Sequence, residues 1–313
     1  MKLQILMSTY NGEKHIREQL ESLLAQTVWK KTEWQIEIVI RDDGSVDDTC
    51  KILTEYEQAC EYIHVYKEKN VGVIASFFDL IQKVEKDVDY IALSDQDDVW
   101  MSDKLECAVN SLNKENAEIP LLYCGKPMLT DEMLNPIPSI MYGENVRPSF
   151  GNALIENICT GCTAVFNYKL AELVQFGNPE FTVMHDWWLY LLASCFGKVI
   201  FDVQPHIFYR QHGENTVGVQ KNYWNECKAR MHRFHSNRYN IHKQVISLKK
   251  ICNMLACEMS LIMPEDKQKL LEQILMARDH VGIRVKLVRN PCVYRQRKGD
   301  NIIFSLILLT GTM

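Results

Sequence analysis

Short continuous apolar runs alternate with segments of helical period through the first third of the chain. Residues 3–7, 36–41, 62–66 and 90–94 are apolar or β-branched without strict alternation, the pattern of strands covered on both faces. Between them Ile16, Leu20, Leu23 and Leu24 share one helical face, and Ile52, Leu53 and Tyr56 a second. Phe77, Leu80, Ile81 and Val84 form a third, and Leu105, Ala108, Val109 and Leu112 a fourth. Ser45-Val46-Asp47-Asp48 has the form of a capping box ahead of the second helix. The alternation predicts an α/β fold: a mostly parallel, Rossmann-like sheet with flanking helices and right-handed crossovers. Ligands of such sheets gather at the carboxyl ends of the strands. The polar clusters fall there, at residues 8–11, 42–48, 70–72 and 95–98, one after each strand.

From residue 120 to about 215 the pattern loosens into short strands and turns, with one helix near 187–194. Gly125, Pro127, Pro136, Pro138, Gly143 and Pro148 mark a long loop region, which in a compact domain serves as a binding surface or lid. Beyond Asn222 the chain reads as basic helices, with Leu248, Ile251 and Leu255 on one face. Two parts are expected: a body over 1–216 and a mainly helical extension over 217–313.

Charge sharpens that division. Residues 1–220 hold 18 basic and 33 acidic side chains, a net of −15, whereas 221–313 hold 17 and 7, a net of +10. So acidic a body excludes a nucleic-acid-binding module, which needs basic stripes with interleaved aromatics. A hydrophobic content of 47% with 24% charged residues excludes wholesale disorder. No apolar stretch approaches the ~18 residues of a membrane-spanning helix, and the apolar run after Lys2 is too short for a secretory signal. The eleven cysteines include a single CxxC, Cys159 and Cys162. They read as packing thiols in a reducing compartment, so a cytoplasmic protein is expected.

Asp95-Gln96-Asp97-Asp98 places three carboxylates in four positions, with no basic neighbour before Lys104. Such groups repel and resist ionisation unless a cation is shared. A hard divalent ion held by carboxylates and substrate phosphates would resolve the conflict; a solvated acidic turn before the next helix is the competing reading. Asp42-Asp43-Gly44-Ser45 offers carboxylates to a nucleobase or ribose, or is simply a turn and cap. Tyr10 is placed to cover a base.

Ser8-Thr9-Tyr10-Asn11, Asp42-Asp43-Gly44-Ser45, Asn70-Val71-Gly72 and Asp95-Gln96-Asp97-Asp98 together resemble the nucleotide-sugar half of family-two glycosyltransferases with the GT-A fold. Gly161-Cys162-Thr163, His185-Asp186-Trp187-Trp188 and Tyr209-Arg210-Gln211-His212-Gly213 resemble the bacterial polysaccharide rhamnosyltransferase branch, and the likeness spans residues 1–216. The resemblance implies an inverting, metal-dependent enzyme. It would move rhamnose from dTDP-rhamnose to a hydroxyl of a cell-surface polysaccharide or lipid-linked precursor. A UDP-hexose donor is the nearest alternative. A metal-dependent nucleotidyltransferase is another, although Asn11-Gly12-Glu13-Lys14 is a poor phosphate loop.

By resemblance, Thr9, Tyr10, Asn11, Asp42, Asp43, Asn70, Asp95 and Asp97 contact the nucleotide sugar, and Asp98 assists. Asp97, Asp95 and His212 would hold Mg2+ or Mn2+, and Asp186 would be the general base. Without the resemblance, Asp186 reads as a helix-start Asp favoured by the dipole and His212 as a loop histidine. Flanking His185, Trp187 and Trp188 suggest aromatic faces for sugar stacking.

The expected partners are a nucleotide-sugar donor and a saccharide or lipid-linked saccharide acceptor, with no nucleic acid; a homo-oligomer is left open. In the extension, Arg284, Lys286, Arg289, Arg295, Arg297 and Lys298 precede an apolar run over 302–309, broken by Ser305. This suits peripheral docking on the anionic inner face of the plasma membrane, each charge adding ~1 kcal/mol. The alternative is packing of the run onto neighbouring helices or a partner subunit.

Overall fold

The structure, a computed structural model, describes residues 1–138, 145–211 and 239–311. β1 (Lys2–Thr9), α1 (Ile16–Leu24), β2 (Gln35–Asp42), α2 (Thr49–Ala59), β3 (Ile63–Lys67), α3 (Val73–Gln82) and β4 (Tyr90–Ser94) follow the alternation read from the pattern. Leu3, Ile5 and Met7 of β1 pack into one buried cluster with Leu20, Ile38 and Leu105, while Leu6 joins the other with Val39 and Phe77. Alternate residues of one strand thus feed two cores, which is why the run is continuously apolar. β1 pairs in parallel with β2 and β4, with Ile5 opposite Ile38 and Ala92.

After β4 come β5 (Val99–Trp100), α4 (Lys104–Leu112), β6 (Leu121–Gly125), β7 (Met128–Thr130), α5 (Phe150–Ala153), β8 (Val165–Asn167), α6 (Tyr168–Phe176), α7 (His185–Phe196), β9 (Lys198–Asp202) and β10 (Ile207–Arg210). The seven-stranded sheet has the order β3-β2-β1-β4-β8-β6-β9. It is parallel except at β8, which runs antiparallel to β4 and to β6. A small sheet, β5-β10-β7, lies apart from it. Its central strand ends at Arg210, a residue that reaches back to the segment after β4.

The extension comprises α8 (Asn240–Glu258), α9 (Glu265–Met276), α10 (Val281–Val288) and α11 (Lys298–Thr310). Leu248, Ile251 and Leu255 of α8, Leu271 and Ile274 of α9, Leu287 of α10 and Phe304 and Leu308 of α11 are buried. They belong to the same cluster as Phe77, Leu170 and Leu189 of α3, α6 and α7. Among the described residues no helix is long and apolar enough to cross a membrane.

One local expectation is corrected. The capping box does not form: Asp48 starts α2 without a side-chain cap. Ser45 is occupied elsewhere, its Oγ donating to Asp42 Oδ1 at 2.5 Å and accepting from Asn11 N at 2.8 Å. Gly44 allows this turn. Its φ is +80°, and a Cβ there would sit 3.1 Å from Asn70 N, so a side chain would be both strained and crowded.

Candidate active site

The ends of β1, β2 and β4 are stitched together by side chains from the loops that follow them. Thr9 Oγ1 donates to Asp42 Oδ1 at 3.0 Å, and Asp42 also accepts from Ser45 N and Cys50 Sγ. Asp43 is buried, with Oδ1 taking Arg41 Nη1 at 2.5 Å and Val71 N at 2.8 Å, and Oδ2 taking Gly72 N at 2.8 Å. It therefore fixes the loop that carries Asn70, which is itself exposed. Asn11, at φ +49°, accepts Val46 N on Oδ1 and so braces the same turn. Tyr10 projects outward and is 48% exposed.

Gln96 ties β1 to the acidic segment. Its Oε1 accepts Tyr10 N at 2.8 Å and its Nε2 donates to Tyr10 O at 3.0 Å. Arg210, almost wholly buried, donates from N to Asp98 Oδ1 at 3.2 Å and from Nε to Asp97 O at 2.9 Å, and it pairs with Glu18. Asp95 and Asp97 are half-buried, and Asp98 is fully buried.

Electrostatics here is dominated by desolvation. Burial, then the charges of Asp97 and Asp186, push the Asp95 carboxyl up to about 7. Burial, then Asp97 and Asp95, hold Asp98 well above the carboxylate range. Lys104 relieves Asp95 only in part: its charge lowers the Asp95 pKa, but its Nζ stands 3.0 Å from the Trp100 ring centroid and burial drives its own pKa well below the ordinary value.

Cys162 packs in the core, as its burial among apolar residues shows, and it also borders the acidic segment. It lies in a tight 3-10 turn, Gly161–Thr163, and its Sγ is within 4.8 Å of ligand oxygens of Asp95 and Asp98. Burial and these carboxylates push its thiol pKa up, so it stays protonated beside them. Asp98 Oδ2 is buried and has no hydrogen-bond partner among the described residues. A buried orphan oxygen beside further carboxylates fits a hard divalent cation. Asp95 and Asp98 are the carboxylates whose oxygens lie together there and would hold it; Asp97, half-buried one residue before Asp98, is not part of that cluster. His212 lies outside the described residues.

Asp186 is the second residue of α7 and is buried. Its Oδ1 accepts Trp187 N at 2.6 Å and Asn157 Nδ2 at 2.9 Å. Its Oδ2 faces Gly161, where a Cβ would stand 3.5 Å away. Burial raises the Asp186 carboxyl to about 7 against the lowering effect of those donors. Its charge is felt by Asp95, which places Asp186 close to the acidic segment.

The flanking aromatics do not form a sugar platform. Trp188 is in the core, Trp187 is half-buried with Nε1 donating to Ala153 O, and His185 stacks on Phe77 at 4.1 Å between ring centroids. The reason is that α7 is apolar nearly all round and is enclosed. Asn157, Gln96 and Cys162 are supporting residues that the sequence does not single out for these tasks. Asn157 and Cys162 come from the irregular stretch, where no periodicity points at a site. Gln96 was visible only as a neighbour of the aspartates.

A parallel βα array with an acidic segment after β4, and a further carboxylate at a helix start near enough for its charge to reach that segment, has the layout of a nucleotide-sugar transferase of the GT-A type. Residues 4–174 match the family model described as glycosyl transferase family 2. The chain belongs to that family. It is 30% identical over 269 residues to the dTDP-rhamnosyl transferase RfbG of Shigella flexneri, covering 80% of this chain and 84% of the relative. It is 34% identical over 202 residues to TuaG of Bacillus subtilis, a glycosyltransferase assigned to teichuronic acid biosynthesis, covering 62% of this chain and 73% of the relative. In fold it is similar to residues 1–349 of S. aureus TarS in complex with UDP-GlcNAc, with a TM-score of 0.56 and 17% identity over 91% of this chain and 83% of that one.

Proposed function

We propose that this glycosyltransferase moves rhamnose from dTDP-rhamnose, with inversion, to a hydroxyl of a cell-surface polysaccharide or its lipid-linked precursor. The observation that carries the reading is the acidic segment Asp95–Asp98 at the carboxyl end of β4, with Asp186 near enough for its charge to reach Asp95. Tyr10, Asn11, Asn70 and the Asp42-Asp43 turn line the nucleotide side, with Tyr10 free to cover the base. Asp95 and Asp97 would hold Mg2+ or Mn2+, and the ion would supply positive charge to offset that developing on the departing diphosphate. Asp186 takes the acceptor hydroxyl's proton as the oxygen attacks C1. One displacement, with the base on the face opposite the leaving group, inverts the anomeric centre.

The rhamnose donor is supported by the likeness to RfbG. A second reading, a UDP-sugar donor, is favoured by the likeness to TarS in complex with UDP-GlcNAc. A screen of nucleotide sugars for divalent-dependent release of nucleoside diphosphate tests both. Release from dTDP-rhamnose is the expected result, and release from UDP-hexoses alone reassigns the donor. Turnover of nucleoside triphosphates without a sugar donor would replace the transferase by a nucleotidyltransferase.

The extension supplies the setting for a lipid-linked acceptor. On α11, Ile302 is 64% and Leu306 60% exposed, with Ile303 and Leu309 beside them, whereas Phe304 and Leu308 face the core. Arg284 is committed to the carbonyls of Ala277 and Arg278, and Arg295 to Glu156. Lys286, Arg289 and Lys298 remain exposed beside the apolar face. This combination suits an anionic cytoplasmic leaflet, at ~1 kcal/mol per nearby charge. Full-length protein should sediment with phosphatidylserine vesicles at low salt. Sedimentation should weaken at high salt and be lost in Ile302→Ser/Leu306→Ser, which leaves the buried face intact. No sedimentation at low salt, together with a concentration-dependent dimer by light scattering, would assign the face to a second copy of the chain instead.

A further inference from the structure

Outside the donor pocket, three different donor types converge where α4 meets the turn between β9 and β10. Asp103 immediately precedes α4 but makes no side-chain cap to it, forgoing the usual stabilising contact of an N-cap Asp. Its carboxylate turns instead toward His206 Nδ1, 3.1 Å from Oδ1, and toward Cys107 Sγ, 3.7 Å from Oδ2. One ligand atom from each of the three residues lies within 4.8 Å of the others, and all three side chains are partly accessible.

We propose that Asp103, Cys107 and His206 form a zinc site that clips α4 to the β9–β10 turn. Tetrahedral zinc with bonds of ~2.0–2.3 Å separates its ligand atoms by about 3.3–3.6 Å; the two observed separations, from one Asp103 oxygen to His206 and from the other to Cys107, lie on either side of that range. The far side of the imidazole faces a carboxylate without yet bonding to it: His206 Nε2 is 3.6 Å from Asp202 Oδ2, which accepts the Tyr123 hydroxyl at 2.8 Å. Drawn within hydrogen-bond reach, such a carboxylate would fix the tautomer and present the other nitrogen to a metal. A thiol with an imidazole selects zinc over magnesium or calcium. Binding would release the Cys107 proton to solvent as the sulfur–zinc bond forms, with water completing the fourth position.

Strand pairing holds the two halves in register without the ion. Trp100 pairs with Ile207, and Met101 N donates to His206 O at 3.0 Å. The clip spans the segments that carry Asp97 and Asp98 on one side and Arg210 on the other, so its role is to fix Arg210 beside the acidic segment. It takes no part in the transfer step.

Purified full-length protein should retain about one equivalent of zinc after dialysis. Cobalt added to the stripped protein should produce a thiolate-to-metal charge-transfer band in the near ultraviolet. Cys107→Ser and, separately, His206→Gln should lose the band and the zinc while keeping the wild-type circular dichroism. Cys162→Ser should keep both, because its thiol belongs to the donor pocket. Absence of stoichiometric zinc and of the band in folded wild-type protein overturns the proposal. So does a band that survives Cys107→Ser and vanishes in Cys162→Ser, which would put the ion among Asp95, Asp98 and Cys162. None of these readings uses sugar transfer, so the outcome stands apart from the donor assignment.

Discussion

Asp97→Asn is expected to lower turnover by about 10²–10³-fold or more, the scale of losing a group that stabilises transition-state charge, and to abolish divalent-dependent donor binding. The fold should survive, and the physical reason is specific. Asp95 is raised from 3.8 to about 7, first by burial and then by Asp97. The folded chain thus holds a proton that the unfolded chain releases above its own carboxylate pKa. Metal-free stability must then fall as pH rises from about 4 to about 7. Removing the Asp97 charge relieves part of that penalty. In chelator at pH 8 the variant's Tm should therefore match or exceed wild type by about 1–3 °C, or ~0.5–1 kcal/mol. Calorimetry and a donor-binding titration, each with and without divalent ion, separate these effects. Wild-type activity that persists in chelator would remove the metal from the mechanism.

Asp186→Asn should behave differently, because the base proposed here would act on the acceptor. Donor affinity should stay near wild type while kcat drops by about 10²–10⁴-fold, the usual contribution of a positioned base. Asparagine can keep the bonds from Asn157 and Trp187, so the loss would be of basicity and not of structure. A base must be ionised to work. With its carboxyl raised to about 7 by burial, wild-type kcat/KM should decline as pH falls through and below that value. A divalent ion beside Asp95 moves this limb toward lower pH by adding positive charge nearby. The limb should be missing from the residual rate of the variant. Activity within a few-fold of wild type would make Asp186 a helix-start residue only, held by the dipole and its two donors.

Much of the donor half was legible because its signals are local. β4 coincides with the apolar run at 90–94, and β1 and β2 extend theirs by one or two residues. Asp95 and Asp97 stand out by charge density alone. What escaped lies where structure is decided by tertiary contact. β8 is three residues long, too short to show a period, and its reversed direction leaves no trace in composition. Cys162 resembles any buried thiol until β4 is placed beside it. Ser45 satisfied a capping pattern, yet Asp42 and Asn11 competed for the same hydroxyl and won. Trp187 and Trp188 had the chemistry of a sugar platform, but enclosure of α7 turned them to packing.

The continuous core joining α8–α11 to α3, α6 and α7 has a consequence for engineering. The enzyme is not a cassette with a detachable handle. Cutting the chain after residue 216, or exchanging its tail with that of a relative to change acceptor preference, would strip apolar cover from α3, α6 and α7. A working chimera would have to carry the facing side chains of those helices along with the tail, or supply complementary ones. The practical unit of recombination is therefore a layer of the fold and not a segment of the sequence.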